Sequence, residues 1–289
     1  VLPWEISLDV SSIIEGIMSQ MKDLVKQLVP PLLLKSLKRA PPLFSSFDEA
    51  YKACPNGAYE NESIVKVVVE KNRIFRQTIR ASPIFNLGDL RTLIAVGLAN
   101  TQGTLKVLDF GGGAGGYHYT IAKAFLGNGS KLKWNIVETP AMVKEGKLIA
   151  DVELNFFDNI SDAKNDLGAV DLVLSSGALQ YCPNPLGFLS ELAEVGAKNI
   201  FVTRIPLSES DKSLISIQVS KLSENGPGPL PAGLDEKSVS YPITFASRHE
   251  VEKILRERYE IVFSIKEDTG TYSAGKKRID LYGYFCRLT

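Results

Sequence analysis

The chain has only two histidines, His118 and His249, and three cysteines, Cys54, Cys182 and Cys286, in 289 residues. Widely spaced cysteines in odd number draw neither a disulfide framework nor a cysteine-rich metal site, and two histidines beside them make no zinc ligand set. Charge of one sign is missing as well, because 33 Lys and Arg meet 33 Asp and Glu. Without a basic surplus there is no electrostatic basis for general nucleic-acid binding. No stretch of bilayer-spanning length is free of charge; the most apolar one, near the N-terminus, is broken by Lys22, Asp23 and Lys26. No basic leader region is visible, so the expected setting is reducing and cytoplasmic.

What is present first is an amphipathic pattern. Ile13, Ile14, Ile17, Met18, Met21, Leu24, Val25 and Leu28 recur at three- and four-residue steps behind Ser11 or Ser12, and Pro30-Pro31 stops them. The apolar and basic run from Leu32 to Arg39 suits packing on its own domain, on a second copy in a homodimer, or peripherally on a membrane surface. Residues 1–42 are thus read as an N-terminal amphipathic helix and linker. Residues 43–104 are read as a helical cap, with a helix opened by Ser46 or Asp48, another from about Ser63 to Arg80, and a third from Leu87 to Leu98.

From Leu105 the texture changes. Short β-rich runs, Leu105–Phe110, Leu132–Glu138, Leu154–Phe157, Val170–Ser175 and Asn199–Thr203, alternate with helical patterns at Gly116–Phe125, Ala141–Ala150 and Leu186–Val195. Alternation of this kind implies right-handed crossovers and a mainly parallel sheet. At the end, Tyr259–Ile265 and Leu281–Arg287 are joined by the polar stretch Glu267–Arg278, which lacks a helical pattern and predicts an antiparallel pair, its second strand inserted beside the first. The fold class read for residues 105–289 is α/β: a Rossmann-like, seven-stranded, mainly parallel sheet with an antiparallel C-terminal strand, helices on both faces and the N-terminal helical cap. Ser247-Arg248-His249-Glu250 reads as a capping box, which gives His249 a structural place.

The strongest chemical signal is Val107-Leu108-Asp109-Phe110-Gly111-Gly112-Gly113-Ala114-Gly115-Gly116, where a strand ends and a helix begins. In a doubly wound sheet that is the ligand-binding edge. The run fits two patterns: Gly111, Gly113 and Gly116 satisfy the dinucleotide GxGxxG, whereas Asp109, Gly111, Gly113 and Gly115 satisfy DxGxGxG. Asp109 favours the second, because a carboxylate there repels a pyrophosphate and attracts an ammonium group. Glu138 closes the next strand and could accept bonds from both ribose hydroxyls, as in either cofactor class. Phe157 and Asp158 then end the third strand with a ring and an acceptor where an adenine would lie.

These features resemble the class I S-adenosylmethionine-dependent methyltransferases from about Leu105 to the C-terminus. More specifically the chain looks like a group of methyltransferases of bacterial polysaccharide and lipopolysaccharide biosynthesis clusters. The matching segments are Phe44–Ala50, Val107–Tyr119, Val137–Val143 and Leu174–Tyr181, although the Gly-Gly-Gly-Ala-Gly-Gly loop is richer in glycine than the usual pattern. The resemblance implies S-adenosylmethionine as cofactor, with Asp109 on the methionine amino group and Gly111 and Gly113 beneath the cofactor. It places Glu138 on the ribose, Phe157 and Asp158 on the adenine, and Ser176 and Gly177 beside the methionine part.

The acceptor side holds fewer signals. His118, just after the glycine loop, is the first candidate for a general base, against an equally simple role of packing beneath the loop. Gln180 and Tyr181 follow the fourth strand at the acceptor edge. A long insertion at about 205–246, punctuated by Asn225-Gly226-Pro227-Gly228-Pro229-Leu230-Pro231, is expected to be irregular and to act as an acceptor lid. Arg204, at its start, is expected to bind a carboxylate or phosphate on the acceptor. The reading is an O-methyltransferase of a sugar, sugar nucleotide or glycolipid precursor. The alternatives are an NAD(P)-dependent oxidoreductase using the overlapping GxGxxG, for which no Tyr-x-x-x-Lys pair follows the fourth strand, and a catalytically silent cofactor-binding or scaffolding protein.

Overall fold

A computed structural model describes residues 41–54, 61–100, 103–127, 129–275 and 277–289, with the backbone alone at 268–271. The amphipathic helix expected over residues 11–28, with the dimer or membrane contact read on it, lies outside the described residues.

Three helices come first: α1 (Phe47–Lys52), α2 (Glu62–Ala81) and α3 (Leu90–Ala99). The alternating part follows as β1 (Thr104–Phe110), α4 (Tyr117–Leu126), β2 (Lys131–Val137), α5 (Pro140–Gly146), β3 (Leu154–Phe157), α6 (Ile160–Leu167), β4 (Leu172–Ser176), α7 (Pro185–Glu194) and β5 (Asn199–Ser208). The remainder is β6 (Leu214–Lys221), β7 (Ser238–Ser247), α8 (Arg248–Arg256), β8 (Tyr259–Ala274) and β9 (Lys277–Leu288). Ser46 caps α1 by accepting from the Glu49 N–H, as expected of that segment.

The sheet runs β3-β2-β1-β4-β5 with parallel pairing throughout, and β9 then pairs antiparallel with both β5 and β8. This is the doubly wound, Rossmann-like arrangement, and β9 does insert beside β8. Alternation along the strands separates two apolar layers. Leu105, Val107, Trp134, Ile136, Leu172, Leu174 and Phe201 face α3, α4 and α5. Leu108, Phe110, Val173, Ile200 and Val202 face α6, α7 and α8.

The structure corrects the sequence reading in several places. The described residues form nine strands rather than seven. The insertion is not irregular: β5 continues to Ser208, and β6 and β7 form an antiparallel pair over eight rungs. Leu207 pairs with Asp280 of β9 and with Ala246 of β7, so β7 takes the edge of β5 that β4 leaves after Thr203. The polar stretch Glu267–Arg278 is drawn into β8 and β9, and the chain turns between Ala274 and Lys277 with Gly275 at φ 58°. The helix expected to reach Ala150 ends at Gly146, followed by a short 3-10 turn. No capping box forms at Ser247, whose N–H is taken by Ser213 Oγ while its own hydroxyl finds no partner.

A third apolar cluster lies over the C-terminal edge of the sheet. It joins Ile64, Val67 and Val68 of α2 to Ala114 of the glycine loop, Met142 of α5, and Leu222, Val239 and Tyr241 of the β6–β7 segment. Among the described residues no helix is long and apolar enough to cross a membrane.

Candidate functional site

The glycine loop leaves β1 at Phe110 and enters α4 at Tyr117. Gly111, Gly113 and Gly116 have φ of 75°, 73° and 63°, a region that a residue with a Cβ enters only at a cost. Close packing fixes the rest. A Cβ on Gly111 would stand 2.1 Å from Ala178 Cβ, and one on Gly115 would stand 1.8 Å from Asn72 Cβ. Helix α2 therefore lies directly on the loop. It seals Gly115, Gly116 is buried against Leu154 and Tyr119, and Gly111 and Gly113 stay half-buried.

Glu138 follows the last residue of β2 and is half-buried. Its Oε1 accepts from the Gly113 N–H at 3.0 Å and its Oε2 from the Thr139 N–H at 2.9 Å. The β2 tip and the glycine loop are thereby tied into one surface. Asp109 sits beneath that surface at 0% exposure. Trp134 donates its indole N–H to Asp109 Oδ2 at 3.0 Å, and a Cβ on Gly112 would meet the same oxygen at 2.5 Å. Burial is the first cause that pushes the Asp109 carboxyl up to about 7; the Trp134 bond opposes it and the Glu138 charge adds to it.

Phe157 is half-buried at the end of β3, and its carbonyl accepts the Glu138 N–H at 3.0 Å. Asp158 is exposed and accepts from Asn159 Nδ2 at 3.0 Å, next to the cap of α6. Ser176 and Gly177 end β4 half-buried, and Gly177 donates its N–H to the Thr203 carbonyl. The strand ends thus bring Glu138, Phe157, Ser176, Gly177 and the half-open glycines to one edge, while Asp109 is below it and Asp158 at its rim.

His118 is 9% exposed, with Nδ1 2.6 Å from Thr92 Oγ1 on α3. Burial pulls its pKa down to about 3, and the charges of Arg204 and Arg91 push the same way. The ring is neutral at physiological pH and a weak proton acceptor there. Beside it the half-buried Tyr117 donates its hydroxyl to Asp89, a fully buried carboxylate at the start of α3 that also accepts the Asn86 N–H at 2.7 Å. Asp89 and Tyr117 escaped the sequence reading; the signal was an acidic residue heading a helix, which is ordinarily just a cap. Gln180 is 2% exposed, with Nε2 3.4 Å from the Arg204 carbonyl. Tyr181 faces the insertion, where its hydroxyl donates to Gln218 at 3.0 Å and its ring meets Tyr241 edge-on.

Buried polar atoms without a partner gather on this edge: Asn72 Oδ1, Asp109 Oδ1, Thr139 Oγ1 and Gln180 Oε1. Each such atom costs about 1–3 kcal/mol unless something bonds it. Their concentration around a half-open glycine loop fits a ligand carrying hydroxyl and amino groups.

No family model matches the chain, and no curated protein matches it. Among solved structures it is similar to the N-terminal domain of EvdMO1 in the presence of SAH and D-fucose, at 16% identity and TM-score 0.41, over 69% of this chain and 83% of that one. It is likewise similar to a S-adenosylmethionine-dependent methyltransferase from Clostridium acetobutylicum, at 13% identity and TM-score 0.43, covering 75% and 96%. The CcbJ methyltransferase from Streptomyces caelestis stands at 15% and 0.43, covering 70% and 95%.

Proposed function

We propose that the chain is an S-adenosylmethionine-dependent methyltransferase acting on a hydroxyl of a sugar, sugar nucleotide or glycolipid precursor. The observation that carries this reading is the division of the glycine loop. A dinucleotide places its pyrophosphate on the helix N-terminus that the loop opens. Here that end is closed, Gly115 under Asn72 and Gly116 buried against Leu154 and Tyr119, and two carboxyl groups, Asp109 and Glu138, lie nearby. The half-open part is Gly111 and Gly113 beside Glu138, which suits a nucleoside with a cationic tail better than a pyrophosphate.

In this reading Glu138 accepts the ribose hydroxyls and Phe157 borders the adenine, with Asp158 at the rim. Ser176 and Gly177 flank the methionine part. Asp109 acts from beneath the loop, where an ammonium above it would favour loss of its proton and pair with the resulting charge. When bound, S-adenosylmethionine supplies a methyl group on a sulfonium. The chain's own contribution to an in-line displacement is alignment and exclusion of water. Gln180 and Tyr181, with the β6–β7 hairpin behind them, border the acceptor, and His118 serves as a neutral hydrogen-bonding wall rather than as a charged group.

Calorimetry with S-adenosylhomocysteine and with NAD tests the reading. Binding of the first and not the second is expected. NAD binding alone restores the oxidoreductase alternative, and binding of neither leaves the silent scaffold.

A further inference from the structure

Strand β5 is buried at every position except Arg204. Arg204 is also the one non-glycine residue among those described with a left-handed backbone, at φ 57°. The pairing of β5 with β9 breaks between Val202 and Ile205, so the residue sits on a bulge, a device that re-aims a side chain. The bulge is fixed by its neighbours. The Thr203 carbonyl accepts from Gly177, and the Arg204 carbonyl lies 3.4 Å from Gln180 Nε2. As a result the guanidinium is held against the end of β4, with Cζ 3.5 Å from where a Cβ on Gly177 would be.

The charge delivered there is free. Among the described residues the Arg204 guanidinium has no ion pair or hydrogen bond, whereas its neighbour Arg91 is held on two nitrogens by Glu267. On this side Asp89 is fully buried, both of its oxygens used by Tyr117 and Asn86. Tyr117 and His118, whose titrations feel its field, are uncharged at neutral pH and do not neutralise it. A strained, unpaired arginine has no structural return in a strand otherwise buried.

We propose that Arg204 anchors a carboxylate or phosphate group of the acceptor, making the acceptor subsite selective for acidic sugars or sugar phosphates over neutral ones. The planar guanidinium bonds either group through two parallel N–H donors. The inference rests on the methyltransferase reading of the same edge, since Gly177 is what places the group beside the cofactor.

The test uses the full chain saturated with S-adenosylhomocysteine and titrated with glucuronate, glucose 1-phosphate and glucose. At least one of the two anions should bind roughly tenfold or more tightly than glucose, and which of them does so identifies the anionic group. Arg204→Gln should erase the preference while leaving S-adenosylhomocysteine affinity within about twofold, and Arg204→Lys should keep part of it. Arg204→Gly, which suits the left-handed backbone, is the control that keeps the fold and still loses the preference. Anions binding no better than glucose, or a preference that survives in Arg204→Gln and Arg204→Gly, overturns the proposal. If S-adenosylhomocysteine itself fails to bind, the methyltransferase reading falls, and the same titration without it still decides on Arg204.

Discussion

The indole N–H of Trp134 donates to Asp109 Oδ2 at 3.0 Å, and both side chains are fully buried on the same face of the sheet. One bond to one oxygen does not offset the loss of water, so the Asp109 carboxyl rises from 3.8 to about 7. The folded state then keeps a proton that the unfolded chain has already released. Stability should accordingly fall as pH rises from about 4 to about 7 and level off beyond, by up to a few kcal/mol from this group. Asp109→Asn should remove that decline. Urea unfolding of both proteins across the range checks it; a stability difference between them that does not change with pH rules the buried proton out.

Glu138→Gln keeps the size of the side chain but removes its charge and one acceptor. S-adenosylhomocysteine should bind about 1–3 kcal/mol more weakly, read by calorimetry. Thermal unfolding of the free protein separates a binding effect from a general loss of fold. Equal affinity would take Glu138 out of the site.

The contact of Gly115 with Asn72 leaves no room for a methyl group. Gly115→Ala should destabilise by about 1–3 kcal/mol or more by pushing α2 off the loop. Asn72→Ala gives no relief, because the clash is with its Cβ. Asn72→Gly removes that atom at a helix cost of about 1 kcal/mol. In a double-mutant cycle the pair should cost less than the two single changes added together, and strict additivity would mean that helix and loop are not coupled.

His118 should stay neutral from about pH 5 to 8, because burial and two nearby cations disfavour its charged form. Its ring proton resonance, assigned by comparison with His118→Gln, should not move over that range. A titration near neutrality would show that the ring is open to water and restore it as a base.

How far the sequence could be read differs by element, for physical reasons. The path from Val107 to Tyr119 was legible because strand, glycines and helix follow one another locally. The end of β2 was legible for the same reason, and Glu138 stands where it was expected. The β6–β7 pair was hidden by the Gly and Pro cluster between its strands and by Pro242 inside β7, a residue that argues against a central strand. Strand β7 gains its second neighbour only at Ala246. Helix α6 was missed because Ile160, Ala163 and Leu167 are its whole buried face in an otherwise polar segment. What no local pattern carries is contact between distant segments. The seating of Asn72 on Gly115, the Asp89–Tyr117 bond and the left-handed turn of Arg204 all depend on elements that meet only in the folded chain.

The apolar cluster shared by α2 and the β6–β7 segment has a consequence for the order of synthesis. Ile64, Val67 and Val68 leave the ribosome early, while Tyr241 follows Ala81 by about 160 residues, which at ordinary elongation rates takes roughly 8 to 30 s. Until Leu222 is made, the buried members of the same cluster that the growing chain offers this face are Ala114 and Met142. The helix that covers the glycine loop therefore waits for much of the synthesis before its partners exist, with an apolar face exposed for a chaperone to hold.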